Sequence, residues 1–213
     1  MDSINSSLIN LYDRQTGIKS FSDKSAMVIG CGGVGSWIAL DLALIGVGTI
    51  VLIDHDKLES SNLNRTLFRL DQVGSFKTHA MKELIAKRRP NTVVLTIEEV
   101  FQTQFLDKYK VDFIFDATDN LSTRKMIHEY ETELSIPYCK CGYDGFQATL
   151  SVNDFESGRW GDDGSYTVVP SFFGTPQVLS ALAVIELLLA NNEMSDSINF
   201  NVKNILSKLK KRL

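Results

Sequence analysis

One segment, from Met27 to Arg65, constrains the fold of this chain more than any other part of the sequence. An apolar run, Ala26–Ile29, meets the glycine-rich loop Gly30–Gly35, and a second apolar run, Thr49–Ile53, ends in Asp54. Glycines in such a loop permit a tight turn and let backbone N–H groups approach a phosphate. An acid after the second strand is placed to accept hydrogen bonds from a ribose. The segment therefore predicts a strand–loop–helix–strand unit that binds a nucleotide.

Apolar strand patterns alternate with helical patterns along most of the chain, which predicts a Rossmann-like α/β fold. We expect a mostly parallel sheet with helices on both faces and antiparallel strands in the C-terminal part. The predicted parallel strands are Met27–Gly30, Ile50–Ile53, Val93–Ile97, Asp112–Asp116 and Tyr138–Cys141. The predicted helices are Val34–Ile45, Lys77–Arg88, Phe101–Tyr109, Leu121–Leu134 and Thr175–Asn191. The predicted later strands are Gln147–Asn153, Ser165–Val169 and Ile198–Val202.

Length and composition indicate a single domain without a membrane span. The chain has 213 residues, of which 44% are hydrophobic, enough for one packed core. Its formal net charge of −4 argues against a general nucleic-acid-binding surface. The N-terminus lacks a signal-peptide pattern, and the longest apolar stretch, Val178–Ala190, is too short to span a bilayer, so we expect a cytoplasmic protein. The three cysteines form no CxxC pair, so no zinc is expected.

Polar residues after Asp54 favour a triphosphate over the pyrophosphate of NAD, because they are cations and amides on a loop that leads to a helix. They are Asn62, Asn64, Arg65, Arg69 and Lys77. A second group, Asp116–Asn120, follows the fourth predicted strand, where ligands bind in parallel sheets. A carboxylate there is a candidate Mg²⁺ ligand, with the two roles open to Asp116 or Asp119. The alternative is that Asp119 caps the helix that starts near Leu121.

The order and spacing of these motifs resemble the ThiF/MoeB family, the adenylating domain of ubiquitin-activating enzymes. The resemblance spans about Leu11 to Asn120 and includes the apolar helix Thr175–Asn191. One departure is Thr66, where many members have glutamine. The matching elements are Tyr12–Gln15, the GCGGVGS loop, Asp54, Ser61–Arg65, Gly74–Lys77 and Asp116–Asn120.

The resemblance implies an ATP site with Mg²⁺ and a homodimer. By position, the ATP-binding residues are Gly30, Gly32, Gly33, Gly35, Asp54, Asn62, Arg65 and Lys77, the last three of which contact the phosphates. Asp119 holds Mg²⁺ by the same comparison. Arg14 reaches the ATP of the partner subunit, and its alternative role is a solvated surface charge. The catalytic set is then Arg14, Arg65, Lys77 and Asp119.

The implied reaction is ATP-dependent adenylation of a ubiquitin-like or sulfur-carrier protein that ends in glycine, giving an acyl-adenylate and pyrophosphate. In this interpretation residues 20–142 form the nucleotide-binding core, and residues 143–213 bind the carrier and close the domain. The alternatives are a tRNA-modifying dehydratase of the same family, an NAD-dependent oxidoreductase and a catalytically silent binding subunit.

Three further features leave their roles open. Cys139 and Cys141 alternate along a predicted strand, either as buried packing residues or as a thiol that accepts the carrier. The loop Asp154–Gly164 either contacts the carrier or is solvated. The basic tail Lys208–Arg212 is either a partner-binding segment or a frayed end.

Overall fold

The structure, a computed structural model, describes residues 10–131, 136–153, 170–189 and 197–204, which contain a seven-stranded sheet. Strands β1 to β7 are Ser25–Ile29, Thr49–Ile53, Val93–Ile97, Phe113–Asp116, Tyr138–Asp144, Gln147–Val152 and Ile198–Asn201. Their order across the sheet is β3-β2-β1-β4-β5-β6-β7. The first five strands are parallel, whereas β6 and β7 pair antiparallel. The predicted sheet is thus confirmed.

Five α-helices cover both faces of this sheet within the described ranges. Helices α1 to α5 are Gly33–Ile45, Lys77–Arg88, Gln104–Lys108, Leu121–Glu131 and Gly174–Leu189. On one face α1, α2 and α5 pack together, with Ile38, Ile85 and Leu179 in one apolar cluster. On the other face α3 and α4 contribute Phe105 and Ile127 to a second cluster. The expected helices on both faces are therefore confirmed.

Strand β1 shows why the apolar runs in the sequence are continuous rather than alternating. Val28 faces the cluster under α1, and Met27 and Ile29 face the cluster under α3 and α4. Each of these side chains is at least 98% buried. A central parallel strand is covered on both sides, so it requires an apolar residue at every position.

The helix predicted over Phe101–Tyr109 is shorter in the structure, where α3 has five residues. Phe101 precedes the helix but is buried, and its ring meets Phe105 edge to face, with centroids 6.4 Å apart. Phe101 is therefore apolar because it packs from a buried loop. Its spacing to the helical residues made the predicted helix too long. The predicted strand Ser165–Val169, the loop Asp154–Gly164 and the tail Lys208–Arg212 lie outside the described residues.

Helix α5 is apolar on most of its circumference and packs beside α1. Ser180 in α5 donates a 2.9 Å hydrogen bond from its hydroxyl to Asp41 Oδ2 in α1. Burial raises the pKa of Asp41, and the Ser180 hydrogen bond offsets only part of this effect. None of the helices in the described ranges is both long and apolar enough to cross a bilayer.

We expect Asp41→Asn to stabilise the protein at pH 7.5 by up to about 1 kcal/mol. The raised pKa means that folding favours the protonated carboxyl, so its stabilisation is present below the unfolded pKa of about 4 and is lost as pH rises through the folded value. Asparagine is neutral throughout and still accepts the Ser180 hydrogen bond. Urea unfolding at pH 7.5 and pH 3.5 measures the difference, which should vanish at the lower pH.

Asp107→Asn is the matched control, because Asp107 is exposed and pairs with Lys110 at 3.6 Å on the surface. Its unfolding free energy should change little at either pH. A loss of stability in Asp41→Asn at pH 7.5 would show that the charged carboxylate is the form that holds α1 and α5 together.

Candidate nucleotide-binding site

The carboxyl ends of β1, β2 and β4 meet at one edge of the sheet, and the candidate residues follow directly after them. Ile29 pairs in register with Ile53 on one side and with Asp116 on the other. The strand order reverses between β1 and β4, because β2 and β3 lie on one side of β1 and β4 lies on the other. In open α/β sheets, ligands bind in the crevice at such a switch point.

The glycine loop after β1 is packed closely, and a side chain at two of its glycines would overlap neighbouring atoms. A Cβ on Gly35 would lie 1.8 Å from the carbonyl oxygen of Gly30, and one on Gly33 would lie 2.5 Å from the Tyr143 hydroxyl. Gly30 has a φ of +87°, in the left-handed region that favours glycine. The overlap at Gly35 is with backbone and the φ of Gly30 is left-handed, so these two positions require glycine for the fold itself.

Gly32 differs from its neighbours because a Cβ there would meet nothing within 4 Å. It precedes the first turn of α1, and no side chain caps that helix. The first N–H groups of an α-helix have no intrahelical acceptor, and the helix dipole favours negative charge at this end. The open space at Gly32 is therefore suited to a phosphate group.

Asp54, the predicted ribose ligand, is buried and joins two loops. Its Oδ2 accepts a 2.7 Å hydrogen bond from the Cys31 N–H, and its Oδ1 accepts one of 2.8 Å from the Asp56 N–H. Each carboxylate oxygen keeps a second lone pair, so both can still accept a ribose hydroxyl. The attachment of the glycine loop to Asp54 is a function that the sequence motif did not predict.

Lys77 begins α2, and its side chain is only 11% exposed. Its Nζ lies 2.7 Å from Asp56 Oδ2 and 3.9 Å from Asp54 Oδ2. Burial disfavours the Asp56 carboxylate, but the hydrogen bond and charge of Lys77 outweigh it and lower the pKa of Asp56. The structure thus brings the predicted cation next to the predicted ribose acid. Asp56 itself was missed, although the D-x-D spacing after β2 was a usable signal.

Asn62 and Arg65 lie on the loop between β2 and α2, beside the start of α1. The Asn62 side chain closes a 3₁₀ turn by accepting a 3.0 Å hydrogen bond from the Glu59 N–H. The Arg65 guanidinium donates to the Ser61 carbonyl at 2.7 Å. Trp37 in α1 donates from its indole to the Arg65 carbonyl at 3.1 Å, which fastens this loop to the helix.

Asp116 is fully buried and serves the loop after β4 rather than facing an open site. It accepts hydrogen bonds from the Thr118 N–H and hydroxyl at 2.9 and 2.7 Å, and from the Tyr138 hydroxyl at 2.9 Å. Burial raises the pKa of Asp116, although the charge of Arg124 and these hydrogen bonds oppose the effect. Metal binding by Asp116 is therefore not supported by its contacts.

Asp119 lies three residues further along this loop and is exposed. The alternative that it caps α4 is wrong, because Asn120 Oδ1 accepts hydrogen bonds from the Ser122 and Thr123 N–H groups at 2.9 and 3.3 Å. An asparagine is an equally good N-cap and lies one residue nearer the helix. The Asp119 carboxylate is thus not engaged in the cap, and its assignment to Mg²⁺ remains a prediction.

Cys139 and Cys141 lie on the same side of β5, both buried, with their sulfur atoms 3.7 Å apart. Burial raises the pKa of Cys139 well above its usual value, and burial likewise raises that of Cys31 in the glycine loop. A thiol needs access and a lowered pKa to act as a nucleophile. These surroundings favour the packing role for the cysteines over the thiol that accepts a carrier.

Arg14 lies far from the glycine loop of its own chain. Its neighbour Gln15 donates from the side-chain amide to the Leu44 carbonyl at 2.7 Å, at the C-terminal end of α1. The rise of an α-helix places Leu44 about 17 Å from Gly33. Arg14 is exposed, so the structure does not bring it together with the other predicted site residues of this chain.

One group of possible metal ligands stands close together in the described ranges: Asp54, His55 and Asp56. It contains no cysteine. The Lys77 ammonium forms ion pairs with both carboxylates, at 2.7 and 3.9 Å, so a cation of the protein itself already offsets part of their charge.

Comparisons with known proteins identify the family of the chain. The ThiF family model matches residues 6–188. A Zea mays adenylyltransferase and sulfurtransferase is 30% identical over 190 residues, 79% of this chain and 39% of the relative. The Escherichia coli sulfur carrier protein ThiS adenylyltransferase is 30% identical over 139 residues, 64% of this chain and 55% of the relative. A Bacillus subtilis tRNA threonylcarbamoyladenosine dehydratase is 38% identical over 111 residues, 49% of this chain and 43% of the relative.

Among solved structures, Escherichia coli MccB with succinimide superimposes with a TM-score of 0.72 at 22% identity, covering 91% of this chain and 63% of MccB. This similarity shows the fold. The chain spans between 39% and 55% of the length of the three curated relatives described above. With the family model covering most of its length, the chain belongs to the ThiF family.

Proposed function

We propose that this protein uses ATP to adenylate the C-terminal carboxylate of a ubiquitin-like or sulfur-carrier protein that ends in glycine. The observation that carries the proposal is the open space at Gly32, next to the residue that Asp54 binds, with the buried side chain of Lys77 3.9 Å from Asp54. A helix N-terminus supplies N–H donors for phosphate, and a buried ammonium adds the positive charge that a triphosphate requires. Two of the three relatives described above are named as adenylyltransferases.

In the proposed reaction a carboxylate oxygen attacks the α-phosphorus of ATP. The bond to the bridging oxygen breaks, and pyrophosphate leaves with the electron pair. The carboxylate is already ionised, so the step needs no general base. What remains is to align the reactants and to stabilise negative charge on the phosphates, which we assign to Asn62, Arg65 and Lys77.

Mg²⁺ would neutralise phosphate charge during this step. Asp119 is the residue we assign to it, because its carboxylate is exposed, lies outside the helix cap and belongs to the loop beside the glycine loop. The glycine loop and the loop after β4 are close together, because a Cβ on Gly30 would lie 3.0 Å from the Ala117 carbonyl oxygen. Carboxylate oxygens are the ligands that Mg²⁺ prefers in proteins.

The elements after residue 143 are the proposed receiving surface for the carrier. Tyr143 covers Gly33, and its hydroxyl donates to the Ser171 hydroxyl at 3.4 Å. Phe172 and Phe173 follow directly, with ring centroids 4.8 Å apart, and Phe173 is 56% exposed. An exposed aromatic pair beside the phosphate position can pack against apolar residues that precede the reacting carboxylate.

ATP–pyrophosphate exchange tests the proposal, with Escherichia coli ThiS as the probe for a carrier and with threonylcarbamoyladenosine-containing tRNA as the second probe. Exchange that depends on ThiS supports adenylation of a carrier protein. Exchange that depends only on the tRNA supports the dehydratase alternative, which the 38% identity to the Bacillus subtilis enzyme favours. Thermal stabilisation by NAD but not by ATP and Mg²⁺ would contradict both and favour an oxidoreductase.

We further propose a homodimer in which Arg14 serves the ATP site of the partner. The support is its position near the end of α1 opposite to the glycine loop of its own chain. We expect Arg14→Ala and Lys77→Ala to be inactive alone but to regain activity when mixed. Half of randomly mixed dimers pair the two variants and contain one intact site, which gives about a quarter of wild-type exchange. An inactive mixture with confirmed subunit exchange would show that each chain uses its own Arg14 or none.

A further inference from the structure

Two carboxylates compete for one buried ammonium at the edge of the sheet. Lys77 Nζ lies 2.7 Å from Asp56 Oδ2 but 3.9 Å from Asp54 Oδ2. The shorter distance is a hydrogen bond and the longer one is not. Asp56 is half exposed, whereas the side chains of Asp54 and Lys77 are nearly buried. The ammonium therefore lies nearer to Asp56, the more exposed acid, which the nucleotide motif does not include.

The backbone fixes both partners of this ion pair. The Lys77 N–H donates to the Asp56 carbonyl at 3.1 Å, and the Leu58 N–H donates to the Ser75 carbonyl at 2.8 Å. The Asp56 N–H is held in turn by Asp54 Oδ1. This short antiparallel pairing holds the start of α2 against the loop after β2. The Asp56 and Lys77 side chains therefore lose little conformational entropy when they pair.

The position of the ammonium decides what Asp54 can do. Asp54 Oδ2 already accepts the Cys31 N–H, which leaves that oxygen one lone pair. An ammonium drawn fully onto Asp54 would occupy this remaining acceptor and leave Oδ2 unable to accept a ribose hydroxyl. With Asp56 as its hydrogen-bond partner, the Lys77 ammonium stays 3.9 Å from Asp54 Oδ2. The lowered pKa of Asp56, where the Lys77 hydrogen bond and charge overcome burial, is consistent with this pairing.

We propose that Asp56 is a positioning residue that holds the Lys77 ammonium apart from Asp54, so that the ribose acid keeps its free acceptor. Asp56 acts through Lys77 and does not itself contact ATP. The nucleotide-binding part of this inference rests on the proposed function, whereas the pairing of Asp56 with Lys77 does not.

A double-mutant cycle tests this role. The affinity for ATP with Mg²⁺ and the free energy of unfolding are measured for the wild type, Asp56→Asn, Lys77→Ala and the double variant. We expect Asp56→Asn to weaken ATP binding about tenfold, and the double variant to bind no more weakly than Lys77→Ala alone. Asp56→Glu, which keeps the charge, should recover part of the affinity. Asp107→Asn is the matched control, since it removes an exposed acid paired with Lys110.

Each outcome decides the question. Wild-type affinity in Asp56→Asn, or a further loss in the double variant beyond that of Lys77→Ala, would overturn the role through Lys77. If the wild type binds no ATP, the proposed function fails, and the unfolding cycle still reports on the pair. Non-additive unfolding energies support the pairing in that case, and additive ones refute it.

Discussion

Replacing Gly35 by alanine is expected to destabilise the protein by at least about 3 kcal/mol. The added methyl would lie 1.8 Å from the carbonyl oxygen of Gly30. The methyl is attached directly to the α1 backbone and the oxygen belongs to the Gly30 backbone, whose N–H is fixed by a 2.8 Å hydrogen bond to the Ile53 carbonyl. No side-chain rotation relieves this overlap, so α1 must move away from β1. Thermal unfolding should show a midpoint lowered by about 10 °C.

Gly32→Ala is the matched control for this change, because it adds the same methyl group to the same loop. The site is open to 4 Å, and the φ of Gly32 is −79°, outside the left-handed region. We expect its unfolding free energy to stay within about 0.5 kcal/mol of the wild type. If phosphate occupies this space, the variant should nevertheless lose at least about tenfold in affinity for ATP with Mg²⁺.

The two glycine variants therefore separate folding from binding. A Gly35→Ala protein as stable as the wild type would contradict the close packing of α1 on the loop. A Gly32→Ala protein with unchanged ATP affinity would place the phosphates away from the N-terminus of α1, and the proposed site would have to move.

The sheet was predictable because its central strands are covered on both faces. Such strands leave continuous apolar runs, and Ala26–Ile29 and Thr49–Ile53 could be recognised without knowledge of their neighbours. Helix limits were harder to predict where a loop is itself buried. Phe101 reads as helical from its spacing, yet it packs ahead of α3.

The site was only partly predictable for a related reason. Local motifs identify which residues meet a ligand, but contacts between distant parts of the chain depend on strand register. The hydrogen bond from Cys31 to Asp54 joins residues 23 positions apart, and it exists because Ile29 and Ile53 are paired in the sheet. The pairing of Asp56 with Lys77 depends similarly on where α2 begins. The sequence predicts Lys77 as a site residue, but it identifies neither Asp56 nor the contact between the two.

The helix cap at Asp119 or Asn120 illustrates a different limit of prediction from sequence. Both residue types cap helices well, so the cap could be assigned only within one residue. The structure gives the cap to Asn120, through its hydrogen bonds to Ser122 and Thr123. A shift of one residue in the helix start thus decides that Asn120 has the structural role and that Asp119 is left as a candidate metal ligand.

Lys77→Ala is expected to lower carrier-dependent ATP–pyrophosphate exchange by about 10²–10³-fold. The side chain is 11% exposed and lies beside the acid that is predicted to bind the ribose, so its charge acts in a medium of low dielectric. Water that enters in place of the buried ammonium cannot stabilise the phosphate charge as strongly. Initial rates with saturating ATP and ThiS measure the loss.

Lys87→Ala is the control on the same helix, because Lys87 is exposed and pairs with Glu83 on the surface. It should exchange at the wild-type rate. Lys77→Ala will also lose stability, since it leaves the buried Asp54 carboxylate without a nearby ammonium. The assay is therefore run well below the unfolding midpoint of each variant.

Arg65→Ala separates lost activity from lost stability. The Arg65 guanidinium bonds to the Ser61 carbonyl and to Asn64 Oδ1, both within its own loop. Its removal should change the free energy of unfolding by less than about 1 kcal/mol while lowering exchange by the same two to three orders of magnitude. Wild-type exchange rates in folded Arg65→Ala and Lys77→Ala would show that neither cation contacts the phosphates. Loss of a charge that stabilises the transition state would slow the reaction.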